Sequence, residues 1–130
     1  MEREAAVSQR VILTGGAGLV GQNLVAHLKR QGYSNLLVID KHEGGLSVLR
    51  EMHPDVTLLH ADLSRRGDWA LQFDGADAIV MLHAQIGGKH YAGFQENNID
   101  ATACVLEAMQ QHGVPYLVHV SSSVVNSVVD

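Results

Sequence analysis

The chain has 130 residues, 46% hydrophobic and 18% charged, which suits one domain with a real core and argues against disorder. A formal charge of -5, a pI of about 5.8 and basic residues scattered but for the pairs Lys29-Arg30 and Arg65-Arg66 argue against nucleic acid or an anionic membrane as partner. One cysteine, Cys104, excludes an intramolecular disulfide and a cysteine zinc cluster, and with a polar start and no apolar run of the ~18–20 residues that span a bilayer, a cytoplasmic protein is expected.

Short β-rich runs alternate with helical ones. The runs Arg10 to Leu13, Leu36 to Ile39, Val56 to His60, Ala78 to Leu82 and Tyr116 to Val120 are continuous rather than alternating, as in strands covered on both faces. A first helix is predicted from about Leu19 to Gln31, with Val20, Leu24 and Leu28 on one stripe and Gly32 as the stop. A short one is predicted near Leu46 to Met52, before Pro54, and a weak one at Trp69 to Phe73, where the two aromatics read as packing. The longest, Asn98 to His112, puts Ile99, Thr102, Leu106 and Met109 on one face and ends at Gly113. This order implies an α/β, doubly wound, Rossmann-type parallel sheet with strand order 3-2-1-4-5. Such a sheet usually continues past a fifth strand, so residues 1–130 read as the front part of something longer.

Thr14-Gly15-Gly16-Ala17-Gly18-Leu19-Val20-Gly21 contains G-x-G-x-x-G at Gly16, Gly18 and Gly21, between a strand and a helix. Gly16 is expected to permit the tight turn, Gly18 the approach of a pyrophosphate, and Gly21 close packing of helix on strand. The helix N-terminus then offers free N–H groups to the phosphates. Asp40 closes the second strand 19 positions after Gly21, close to the ~20 expected for the acid that accepts from the ribose hydroxyls. It would repel a 2′-phosphate, which favours NAD over NADP; the adjacent Lys41 and His42 work against that preference.

Together these residues resemble the extended short-chain dehydrogenase/reductase family, the NAD-dependent epimerases and dehydratases. The resemblance runs from Arg10 onward. Thr14 to Gly21 is similar to T-G-x-x-G-x-x-G; Asp62 in His60-Ala61-Asp62-Leu63 to the adenine-contacting aspartate; and Asp77 to Ala84 to D-A-V-I-H-L-A-A, which passes under the cofactor. Asn98 to Ala108 resembles N-V-x-G-T-x-N-L-L-E-A, and His119 to Ser123 the strand end that delivers the catalytic Ser/Thr. The resemblance implies NAD held by Thr14, Gly15, Gly16, Gly18, Leu19, Val20, Gly21, Asp40, Lys41, Asp62, Leu63, Leu82, His83, Ala84, Gln85 and Asn98, with Ser123, and next Ser122, as catalytic. It implies redox chemistry on a carbonyl or secondary alcohol, a sugar nucleotide being one such substrate. A small-molecule substrate is expected in the full-length protein, and a homodimer stays open.

Departures from the pattern are specific. Met81 stands where the family often has His, and His83 where it often has Ala. Ala101 replaces a helix Gly, and Val124-Val125-Asn126 follows where x-x-V-Y-G is common. No Tyr has Lys four positions later, so the family's Tyr-x-x-x-Lys acid/base pair is absent within residues 1–130, and the chain by itself is expected to be inactive. A non-catalytic NAD-binding or sensing module is the alternative. The histidines are scattered, without i, i+4 pairs beside an acid, so no metal site is expected. Gln85 to His90 reads either as a ligand-edge loop or as a merely flexible one, and Cys104 as a core-facing or neutral helix residue.

Overall fold

A computed structural model of the chain describes residues 7–83 and 95–121. Five strands, β1 (Val7–Thr14), β2 (Tyr33–Asp40), β3 (Thr57–His60), β4 (Ala78–Met81) and β5 (Leu117–His119), form one sheet in the order β3-β2-β1-β4-β5, and every pairing is parallel. The helices are α1 (Leu19–Arg30), α2 (Glu43–Met52) and α3 (Ala101–His112), with a 3-10 segment at Asp68–Phe73 and a π-helical segment at Gln95–Asp100. The Rossmann-type arrangement expected from the alternation is the one observed.

The continuous apolar strands are explained by two cores, one on each face of the sheet. Successive strand residues point to opposite faces. Val11, Leu13, Val38 and Val80 therefore face Val25 of α1 and Leu46 and Leu49 of α2. Ile12, Leu37, Ile39, Ile79 and Met81 face Val105 and Ala108 of α3 and Trp69 and Phe73 of the 3-10 segment. The Trp69 and Phe73 rings meet edge to face with centroids 5.5 Å apart, which is packing rather than an open stacking platform.

Three details differ from the sequence reading. In α1 the buried positions are Gly21 and Val25, flanked by partly buried Leu24 and Leu28, while Val20 is exposed. The helix is rotated because the Cα of Gly21 rests on the backbone of Gly16. In α3 the buried positions are Ala101, Val105, Ala108 and Met109, and both Ile99 and Leu106 are exposed. The π-helical segment before α3 interrupts the regular period that placed Ile99 with the helix, and within α3 the small Ala101 and Ala108, with Val105, lie against the sheet. Finally, α2 begins at Glu43, three residues earlier than expected, because Gly44 and Gly45 are poor helix formers and hid its first turn.

Candidate dinucleotide site

In an open parallel sheet the chain leaves a crevice beyond the carboxyl ends of the strands, where successive connections depart to opposite faces. Here that point lies between β1 and β4. A cavity of about 420 Å³ opens there, lined by Gly15, Gly18, Asp40, Lys41, His42, Ala61, Asp62, Leu63, Ser64, Leu82, His83 and Ala101. Its size falls within the range of small-molecule sites, roughly 300–1,000 Å³.

The turn from β1 into α1 is made by glycines with different duties. The left-handed residue is Gly15, at φ 73°, and its N–H donates to the Ile39 carbonyl at 2.7 Å. Gly16, expected to permit the turn, instead lies under Val38 and Leu13; an added Cβ would come within 2.9 Å of Val38 Cγ1. Gly18 is the N-cap of α1, with extended backbone and no capping side chain, and an added Cβ would meet nothing within 4 Å. The first turn of α1 holds no acidic residue to offset its positive end. An anion arriving beside Gly18 would meet open space, uncapped N–H groups and no competing carboxylate from the helix itself.

Asp40 is buried, 5% exposed, at the end of β2. Its Oδ2 accepts from the Ala17 N–H at 3.0 Å and its Oδ1 from the His42 N–H at 2.9 Å. A carboxylate has about four lone-pair positions, so two remain for further donors. Next to it, the His60 ring donates through Nε2 to the Lys41 carbonyl at 2.9 Å while Nδ1 lies 3.4 Å from Glu43, which ties the turn after β2 to β3. Asp62 accepts at Oδ1 from the Ser64 hydroxyl, 2.6 Å, and the Ser64 N–H, 3.0 Å. The Ser64 hydroxyl bond holds the Asp62 carboxyl below the usual carboxylate range, against the opposing pull of burial.

At the opposite wall His83 follows β4. Its Nδ1 lies 2.7 Å from the fully buried Thr14 hydroxyl, and its Nε2 lies 3.4 Å from the Thr102 hydroxyl of α3. Burial pushes the imidazole below its ordinary value; His119 adds to this and Asp40 opposes it. A neutral ring can donate with one nitrogen and accept with the other, and each threonine can take either part.

Of the sixteen residues expected at the cofactor, the cavity wall gathers Gly15, Gly18, Asp40, Lys41, Asp62, Leu63, Leu82 and His83. Thr14 lies behind His83, and Gly16 and Gly21 lie beneath the loop, packed against each other. Leu19 and Val20 are exposed on α1, and half-buried Asn98 sits in the π-helical segment. Ala84, Gln85, the remainder of Gln85 to His90, Ser122 and Ser123 lie outside the described residues. The sequence reading missed His42, Ala61, Ser64 and Ala101 as wall residues. For Ser64 the signal was present, because a serine two positions after an aspartate is a common partner for its carboxylate.

Cys104 is half-buried against the core, its Sγ 3.7 Å from the Ser64 carbonyl, and burial pushes its thiol up. Among the described residues no three His, Cys, Asp or Glu side chains are placed to share a metal ion, and no helix is long and apolar enough to cross a membrane.

The chain is 28% identical over 114 residues to sterol-4-alpha-carboxylate 3-dehydrogenase (decarboxylating) of Schizosaccharomyces pombe, covering 86% of this chain and 33% of that one. It is 28% identical over 140 residues to UDP-glucose 4-epimerase of Bos taurus, covering 92% and 39%. Among solved structures, UDP-glucuronic acid 4-epimerase from Bacillus cereus in complex with NAD superposes with a TM-score of 0.77 at 26% identity, over 94% of this chain and 43% of that one. The chain thus spans between a third and two-fifths of the length of these curated relatives. A profile of the NAD dependent epimerase/dehydratase family matches residues 11–128, and with the parallel sheet, the glycine turn and the acid at the end of β2 it establishes that the chain belongs to that family.

Proposed function

We propose that residues 1–130 form the NAD-binding portion of an epimerase- or dehydratase-type oxidoreductase that acts on a carbonyl or secondary alcohol of a sugar nucleotide. The observation that carries this reading is the open space at Gly18, at an uncapped helix N-terminus, on the rim of a cavity walled by Asp40 and Asp62. That combination fits a dinucleotide. The loop from Gly15 to Gly18 takes the pyrophosphate through its N–H groups. Asp40 uses its remaining lone pairs for the ribose hydroxyls, and Asp62 meets the adenine. Leu82 and His83 form the wall toward the nicotinamide half. Bound NAD supplies the hydride acceptor. Ser123, with Ser122 beside it, is the residue we assign to orienting the substrate oxygen, on its place in the family pattern. The sugar-nucleotide class is supported by relatives such as the UDP-glucose 4-epimerase of Bos taurus.

A buried carboxylate at the ribose end disfavours a 2′-phosphate. NAD therefore binds at least about tenfold more tightly than NADP, about 1.4 kcal/mol. Calorimetric titration of the chain with both dinucleotides tests this, and equal or tighter NADP binding would overturn the role given to Asp40. Because the family's Tyr-x-x-x-Lys is absent from these residues, the chain alone should show no NADH formation with sugar nucleotides. An enzyme-dependent rise at the NADH absorbance band, lost in Ser123→Ala, would overturn that expectation.

A further inference from the structure

Ala17 is the one side chain in the run Gly15-Gly16-Ala17-Gly18. Glycine-rich backbone loses more conformational freedom on ordering than any other, so a ligand that had to order this loop would bind weakly. In the structure the loop is ordered from outside, through the peptide groups on either side of Ala17. Its N–H donates to Asp40 Oδ2 at 3.0 Å, from β2. Its carbonyl accepts from Gln22 Nε2 at 2.8 Å, from α1. Its methyl group is buried, 4% exposed, against the first turn of α2, where Gly45 comes so close that a Cβ there would overlap the Ala17 carbonyl oxygen and sit 2.9 Å from the Ala17 Cβ. Asp40 lines the cavity; Gln22 and Gly45 are not among its lining residues.

We infer that Gln22 and Gly45 are positioning residues for the dinucleotide: they hold Ala17 from behind, preorganise the phosphate loop and so set its affinity without touching the ligand. The inference rests on the NAD reading above. It explains two features that packing alone does not require. A glutamine early in a helix is normally a solvated residue, yet here it reaches back to the one carbonyl of the loop that does not belong to a glycine. A glycine early in a helix weakens that helix relative to alanine, yet here it is the residue that admits the loop. Preorganisation of this kind raises affinity by lowering the ordering cost rather than by adding contacts.

The test uses the 130-residue chain and the variants Gln22→Met, which keeps the length of the side chain without its donor, and Gly45→Ala. NAD and adenosine are titrated by NMR, and amide exchange of residues 15–18 is measured without ligand. Loss of one net hydrogen bond predicts that Gln22→Met binds NAD about threefold to tenfold more weakly. Gly45→Ala should weaken it by more than about tenfold. Adenosine, which has no pyrophosphate, should bind both variants as it binds the original chain, and exchange in the loop should quicken. Unchanged NAD affinity in folded Gln22→Met overturns the inference, as does equal weakening of NAD and adenosine, which would mark a merely structural role. Should Gly45→Ala not fold, Gln22→Met decides. Failure of the original chain to bind NAD, with loop exchange still quickened by Gln22→Met, would overturn the cofactor reading and leave the tethering of Ala17 intact.

Discussion

The two ends of the same sheet treat their polar groups in opposite ways. At the amino end, Arg10 is consumed by the chain itself: its N–H donates to Asp77 at 2.7 Å, and its guanidinium to the Asn35 side chain at 3.1 Å and the Gln72 carbonyl at 3.3 Å. At the carboxyl end, Asp40, Asp62 and the glycine loop satisfy part of their capacity internally and leave the rest facing a cavity. Parallel strands produce this asymmetry, because every strand delivers its C-terminal residues to one edge and the connections part there to opposite faces. Polar groups at one edge join elements together, and at the other they are held ready for something that is not protein.

The sharpest break of that comparison separates two glycines three positions apart. Gly18→Val fills open space, so NAD binding should fall at least about a hundredfold while the melting temperature stays within a few degrees. Gly21→Val drives a side chain into the Gly16 backbone and should cost several kcal/mol, seen as loss of the cooperative melting transition. A Gly18→Val chain that binds NAD normally would show that the loop is only a turn.

Asp40→Ala should fall between these extremes. It leaves the buried Ala17 N–H and the half-buried His42 N–H without their acceptor, for about 2–3 kcal/mol of lost stability by denaturant titration, and it should narrow the preference for NAD over NADP. Arg10→Ala is the amino-end counterpart. Loss of its exposed guanidinium hydrogen bonds should cost about 1 kcal/mol, on the order of 4 °C in melting temperature, with NAD affinity unchanged, while the backbone N–H keeps its bond to Asp77. A change in affinity there would mean that the two edges are coupled.

The smallest expected effect is a pH dependence at His83. Its pKa is lowered in the folded chain from the ordinary 6.5, chiefly by burial. The unfolded chain therefore takes up this proton first, so the contribution is complete above about pH 6.5 and is lost as pH falls below that value toward the folded pKa. Melting curves at pH 7.5 and 5.5 should differ less in His83→Gln than in the original chain, and an unchanged difference would remove His83 from the account.

Much of this was legible in the amino-acid order. Continuous apolar runs between helical segments specified a parallel sheet, because only strands covered on both faces need such runs, and its strand order came with the Rossmann-type reading of the glycine loop and the acid. Thr14 to Gly21 and Asp40 stood out from spacing alone, since backbone geometry leaves few residue types able to make the tight turn into a helix, and a carboxylate 19 positions after Gly21 closes the second strand. Other features depended on packing between distant segments. That Gly15 rather than Gly16 takes the left-handed turn depends on where β2 and β4 pass the loop. That Val25 and Val105, rather than Val20 and Leu106, face the core follows from Gly21 resting on Gly16 and from the close packing of Ala101 and Ala108 in the core under the sheet. That His83 joins Thr14 to Thr102, and that Ala17 is gripped from β2, α1 and α2 together, required the fold, because hydrogen bonds such as Ala17 to Asp40, Thr102 to His83 and Thr14 to His83, which span 23, 19 and 69 positions, leave no mark on local pattern, and tertiary contact alone decides them.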